Sequence, residues 1–253
     1  MNTLIASVGV VMLLAPGTQP AGAIIGGTSD GRQHPYVAAI QQPDGQGVIF
    51  TGTAISPTVV LTVAHGAVRL MQATGSDQAR VTFDPVATTA TTWFTGTIHV
   101  DPAYNPTSPG VGDYAVIVFD SPLPVDSATL PGLDDVHDQL RTVSASPLPI
   151  VGYGTTALVS GTPRPDLSSG GTRKVDPTRL QGLKQQTLKL RMPDGDQVCV
   201  GDSGGPALLG TSNEIVGVTL GTLGGCISSG TVTSMRVDTA TARAFIGQYV
   251  TLP

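Results

Sequence analysis

The sequence predicts an all-β protein built as two barrels of short strands with a short C-terminal helix. Three observations predict it. Only 12 % of the 253 residues are charged, and Gly, Thr, Ser and Val are abundant, which suits short strands and tight turns better than long helices. Alternating or β-branched runs, bounded by Gly, Pro, Asn and Asp, fall into two sets along the chain. A Pro- and Asp-containing stretch, Ser121 to Asp138, separates the sets and reads as the connection between barrels.

In chain order, the apolar run Leu4 to Ala15 comes first, followed by Pro16 to Ala23 with small residues at Ala21 and Ala23. This reads as a signal peptide over 1-23, cleaved after Ala23. A membrane span needs about 20 apolar residues, and Pro16 interrupts this run too early. The first set of strand-like runs is Tyr36 to Ile40, Val48 to Ile55, Val59 to Val63, Phe94 to Val100 and Tyr114 to Phe119. The second is Leu148 to Tyr153, Gln186 to Leu190, Ala207 to Leu209, Ile215 to Leu220 and Val232 to Val237. Residues 24-253 are therefore expected to form one catalytic unit, with an N-terminal barrel over about 24-125 and a C-terminal barrel over about 135-253. Ser160 to Arg179, rich in Gly, Ser, Pro and charge, reads as a long exposed loop. Thr239 to Val250 reads as the C-terminal helix, with Ala242, Phe245, Ile246 and Tyr249 on one stripe. No internal repeat is present.

The net charge is −5 and no basic run occurs, so neither a nucleic acid nor a membrane surface is expected as a partner, and the chain is expected to be a monomer. His34, His99 and His137 read as surface or turn residues. No Cys/His cluster has metal-ligand spacing, so no metal and no cofactor are expected. In an exported chain the only two cysteines, Cys199 and Cys226, point to one disulfide; a catalytic Cys199 fits less well beside a complete serine constellation.

That constellation is the main functional signal. Gly201-Asp202-Ser203-Gly204-Gly205-Pro206 presents a serine between glycines, and Thr62-Val63-Ala64-His65 and Gly112-Asp113-Tyr114-Ala115-Val116 lie upstream. A serine hydroxyl is a poor nucleophile unless an imidazole takes its proton and a carboxylate holds that imidazole in the right tautomer. His65, Asp113 and Ser203 can fill these roles. The Gly201 to Gly205 run also reads as G-x-S-x-G, but that elbow needs its histidine after the serine, and all four histidines precede Ser203. An order with the acid first would need Asp30 or Asp44, and neither sits at a strand end. The order His, Asp, Ser remains, and it places the cleft between the two barrels.

On these motifs the chain resembles the chymotrypsin/trypsin family of serine endopeptidases, most like small secreted bacterial members. Ile24-Ile25-Gly26-Gly27 is similar to the family's mature N-terminus, Phe50 to Ser56 to the strand before the histidine, and Asp101 to Asn105 to the segment before the acid. Val151-Gly152-Tyr153-Gly154-Thr155 resembles a G-W-G-T strand, and Ile215 to Val218 a strand that walls the specificity pocket. Separations of 48 residues from His65 to Asp113 and 90 from Asp113 to Ser203 agree with the family. The resemblance implies two six-stranded antiparallel barrels and an oxyanion hole from the amides of Gly201 and Ser203. It implies a Cys199–Cys226 bridge, and an ion pair between the amine freed at Ile24 and Asp202. It puts Gln197 at the base of the substrate pocket, beside Val198, with Thr219, Leu220 and Gly221 on one wall and Gly230 on the other. Asp196 adjoins that base, and a backbone shift would be needed for it to face the pocket. Thr51 and Gly66 stand where family members commonly carry a second bridge. Asp77 and Asp84 lack the glutamates that the calcium loops of some animal relatives use. The implied activity is hydrolysis of protein or peptide substrates by a secreted, extracellular enzyme. A catalytically silent binding protein and an esterase on the same scaffold are the alternatives.

Overall fold

The computed structural model describes residues 24–43, 48–108, 110–142, 147–162, 164–221, 226 and 230–253. The expected signal peptide over 1-23 lies outside these residues.

A two-residue strand β1 (Thr28–Ser29) opens the described chain, followed by β2 (Val37–Gln41), β3 (Val48–Ser56) and β4 (Val59–Thr62). Helix α1 (Ala64–Thr74), β5 (Gln78–Thr82), β6 (Phe94–Val100) and β7 (Ala115–Val118) come next. Strands β2-β3-β4-β7-β6-β5 close into an antiparallel barrel, with β2 pairing both β3 and β5. Its strands are β-branched and aliphatic, and Ile40, Val60, Leu61, Val81, Val116 and Ile117 are fully buried on one face or the other. Gly52 and Gly96 lie where a Cβ would strike Val60 and the carbonyl of Val118, at 2.6 and 2.7 Å, so side-chain loss at these points lets facing strands pack.

Helix α2 (Asp135–Thr142) leads into β8 (Leu148–Gly152), β9 (Lys174–Leu183), β10 (Thr187–Arg191), β11 (Pro206–Leu208), β12 (Ile215–Thr219), β13 (Thr231–Arg236) and helix α3 (Ala240–Ile246). The order β9-β10-β13-β12-β11-β8, with β8 also paired to β9, closes a second six-stranded barrel, and β1 adds to it through β9. The all-β, two-barrel expectation therefore holds.

Three local readings change. The loop expected over Ser160 to Arg179 ends early, because Lys174 onward belongs to β9 and pairs with Gly152 and its neighbours in β8. The expected connection Ser121 to Asp138 contains the start of α2, whose Val136 and Leu140 are buried, the former's amide held by Asp238 at 3.0 Å. His65 lies in the first turn of α1. The C-terminal helix starts at Thr239, whose hydroxyl caps the amide of Ala242 at 3.2 Å, and stops at Ile246. Tyr249, beyond its end, still packs edge-on against Phe245.

Candidate active site

Strand β4 delivers the chain to α1, and His65 emerges at the junction. Its ring Nδ1 lies 2.9 Å from Asp113 Oδ2, and its backbone N–H donates to Asp113 Oδ1 at 2.7 Å. Asp113, 4 % exposed, sits just before β7, next to β4 in the barrel, so one sheet contact brings base and acid together. With Nδ1 committed as donor to a carboxylate, Nε2 is left as the acceptor.

Ser203 comes from the second barrel, in the turn before β11. The two barrels are joined at this point through Thr51 of β3. Its amide donates to the carbonyl of Ser203 at 2.8 Å, and its hydroxyl donates to the carbonyl of Gly201 at 2.7 Å while accepting from the amide of Tyr153 at 3.0 Å. Thr51 thus ties the nucleophile loop to the first barrel, at one of the two positions where the resemblance led a bridge to be looked for. At the other expected position, a Cβ on Gly66 would sit 3.1 Å from the Phe50 ring, so the aromatic ring occupies the space.

The loop itself is shaped by glycine. Gly201 has φ +100°, and a Cβ there would lie 2.6 Å from the Cα of Gly154; Gly204 has φ +87°, with the carbonyl of Thr51 at 2.1 Å from its missing Cβ. Neither the Gly201 nor the Ser203 amide donates to an acceptor among the described residues. The Ser203 hydroxyl donates to the carbonyl of Leu220 at 3.0 Å, an approach open only because Gly221 has no Cβ; one there would lie 2.1 Å from Ser203 Oγ.

Behind the loop, Asp202 is buried and its carboxylate accepts from the amides of Gly154 and Cys199, both at 2.9 Å, and from the amide of Ile24. Burial pushes its carboxyl up to about 7, against these amides and the field of Lys174, which pull it down. Ile24 is fully buried at φ +55°, an uncommon conformation for a β-branched residue. Cys199 and Cys226 form a disulfide that closes a 27-residue separation around Ser203.

The family model described as Trypsin matches residues 24–244. The chain belongs to the trypsin family. HL collagenase is similar in structure, with a TM-score of 0.67 at 20% identity over 89% of this chain and 97% of that one. The scabies mite inactivated protease paralogue S-D1 gives 0.67 at 16% identity, over 89% and 96%, and the paralogue S-I1 gives 0.62 at 18%, over 88% and 97%. Identities this low speak for the fold. No curated protein matches the sequence.

Within this trypsin-family chain, the residues expected at the substrate pocket divide. Gln197 exchanges backbone hydrogen bonds with Ile25 in both directions at 2.9 Å, and Val198 is buried with Ile24 in the second barrel's core. Thr219, Leu220 and Gly221 run beside Ser203, held by a bond from the amide of Gly204 to the carbonyl of Thr219 at 2.7 Å. Gly230, φ +63°, adjoins Arg191 across the β10–β13 pair. The stretch between Gly221 and Gly230 is outside the described residues apart from Cys226. Asp196 lies against the N-terminal segment: its Oδ1 is 1.7 Å from the place a Cβ on Gly26 would take.

Sequence reasoning passed over three features around the site and beyond it. Gly152 and Gly154 make room for the Asp202 carboxylate, with Cβ positions 2.3 Å from its Oδ1 and 2.6 Å from its Cγ. The G-Y-G pattern was the available signal. Asp176 of β9 is fully buried beside the same pocket. His34 belongs to a buried group in which Asp30 bonds both its ring Nδ1 and Arg173, and Arg173 Nη1 also donates to Tyr153 Oη at 3.0 Å.

Proposed function

We propose that this chain is a secreted, monomeric serine endopeptidase that matures by cleavage after Ala23 and cuts peptide bonds through Ser203, His65 and Asp113. The observation that carries the reading is the double hold of Asp113 on His65, which fixes the ring through Nδ1 and leaves Nε2 as the atom available to take a proton. Ser203 Oγ attacks the substrate carbonyl while His65 Nε2 takes its proton, and the tetrahedral oxyanion accepts from the amides of Gly201 and Ser203. The imidazolium then protonates the leaving amine, leaving an acyl-enzyme. Water, deprotonated by the same His65, releases the acid.

Before attack the Ser203 hydroxyl exchanges its bond to the Leu220 carbonyl for one to His65. Trading one neutral hydrogen bond for another changes the free energy by about 1 kcal/mol, small against a catalytic barrier. Gln197 at the pocket base supports preference for a neutral substrate side chain, because strict Lys or Arg preference needs an acid there and Asp196 is turned to the N-terminal segment.

A second reading, a silent binding protein, draws on that same Ser203–Leu220 bond and on the inactivated state of two structural neighbours. One experiment separates the readings: the chain is expressed with its own first 23 residues, the secreted N-terminus is sequenced, and the product is reacted with a fluorescent fluorophosphonate beside Ser203→Ala. Labelling of a protein that starts at Ile24, absent in Ser203→Ala, is expected; an Ile24 terminus with no labelling favours the silent protein. Hydrolysis of casein as well as short-chain esters distinguishes a peptidase from an esterase.

A further inference from the structure

The first four residues after the expected cleavage point lie among three carboxylates. The Ile24 amide reaches Asp202. Gly26 packs against the Asp196 carboxyl, and Gly27 and Thr28 run beside Val175, the neighbour of Asp176 on β9. Asp176 is fully buried, opposite Ile150 of β8, and neither of its carboxyl oxygens meets a donor among the described residues. The Asp196 carboxyl is within its hydrogen-bonding reach, a contact two carboxyls can make only when one keeps a proton.

A buried acid without a donor is costly and calls for a partner. The charged groups acting on Asp176 are Asp196 and Asp202 from the loops, and the same two act on Lys174, two residues earlier on its strand; burial lowers the Lys174 pKa, and the fields of Asp202 and Asp196 oppose this. Asp202 and Asp196 share that one lysine while Ile24 remains a neutral amide. Cleavage before Ile24 adds one positive charge at that nitrogen and also frees Ile24 from a φ that L-residues with branched side chains avoid.

We propose that Asp176 and Asp196 complete, with Asp202, an acidic receptor for the α-ammonium of Ile24, and that Asp176 is a positioning residue that keeps the mature conformation assembled at alkaline pH. The inference rests on maturation at Ile24. Its sign follows from charge. Below about pH 7 Asp176 keeps its proton; when that proton leaves, a second negative charge faces the ammonium. The ammonium then holds its proton to a higher pH than an ordinary α-amine. In Asp176→Asn the second charge never forms, while Asp202 still ionises.

The test is the rate constant of fluorophosphonate labelling from pH 6 to 10, measured on secreted protein of sequenced N-terminus. Asp176→Asn is expected to label at the parent rate near pH 6, with the midpoint of its alkaline decline lowered by about one pH unit. Lys174→Met, which removes the competing cation, is expected to move that midpoint upward, and it carries the test if Asp176→Asn is not secreted. An Ile24 terminus with the alkaline midpoint unmoved in either variant overturns this inference and leaves the proposed function standing. A terminus elsewhere overturns both. Loss of rate by the same factor at every pH marks Asp176 as merely structural and also overturns the inference.

Discussion

On the first barrel, His65 and Asp113 meet through two hydrogen bonds of 2.7 and 2.9 Å, and a direct β4–β7 pairing holds them. On the second, the Ser203 loop packs over Asp202, whose carboxyl is pushed up to about 7 by burial, beside the donor-less Asp176, and its serine hydroxyl bonds a carbonyl. The first half is complete without any charge from elsewhere. The second half has an excess of buried negative charge, which an ammonium at Ile24 would offset. On the proposed function, base and acid stay paired throughout and only the nucleophile side depends on maturation.

The largest effect should follow from damaging the finished half. Asp113→Asn keeps the size of the side chain but removes the charge and can leave His65 in the wrong tautomer, with Nε2 protonated. Hydrolysis of a peptide substrate is expected to fall by about 10⁴-fold, with secretion and thermal midpoint little changed. A drop of less than tenfold would show that the His65–Asp113 pair does not drive the chemistry.

Gly201→Ala attacks the other half and should cost less, because it displaces one oxyanion donor without touching the triad. The new Cβ meets the Gly154 Cα at 2.6 Å at a φ of +100°, so the loop must move. Labelling by a fluorophosphonate is expected to slow by about 10²-fold. Gly210→Ala is the control: its φ is +60° but nothing lies within 4 Å, so it carries conformational strain alone and should leave the labelling rate intact.

The finished half was also the more legible in the sequence. His65 and Asp113 belong to short motifs whose order and spacing are set by neighbouring strands of one barrel. β2, β3, β4, β6 and β7 announce themselves by β-branched runs, whereas the Gln and Arg of Gln78–Thr82, only half-buried, mask the alternation. In the second barrel, β9 contains Asp176, Pro177 and Gly182, each a strand breaker by composition, and tertiary pairing with β8 and β10 overrides them. Helix α1 buries mostly small residues, and Ala64, Gly66, Ala67 and Leu70 make too weak a stripe to read. Ser203 and Asp202 are legible because a motif carries them. Asp176 is not, because an isolated aspartate in a strand gains its meaning only when folding brings Asp196 and Asp202 near it.

The smallest effect should come from the seam between the halves. Thr51→Val is close to isosteric, leaves the backbone bond to the Ser203 carbonyl in place, and strips the hydroxyl from the Gly201 carbonyl and the Tyr153 amide. Two buried groups lose a partner, which costs about 1–3 kcal/mol of stability. The thermal midpoint is therefore expected to drop by several degrees. The labelling rate should fall only a few-fold, because Gly201 keeps its backbone conformation through contact with Gly154. If the rate falls as far as in Gly201→Ala, the orientation of the oxyanion donors depends on the first barrel after all, and the two halves are mechanically one. If the rate is unchanged while the midpoint falls, Thr51 joins the barrels without tuning the loop, and the independence of the two halves extends to their contact.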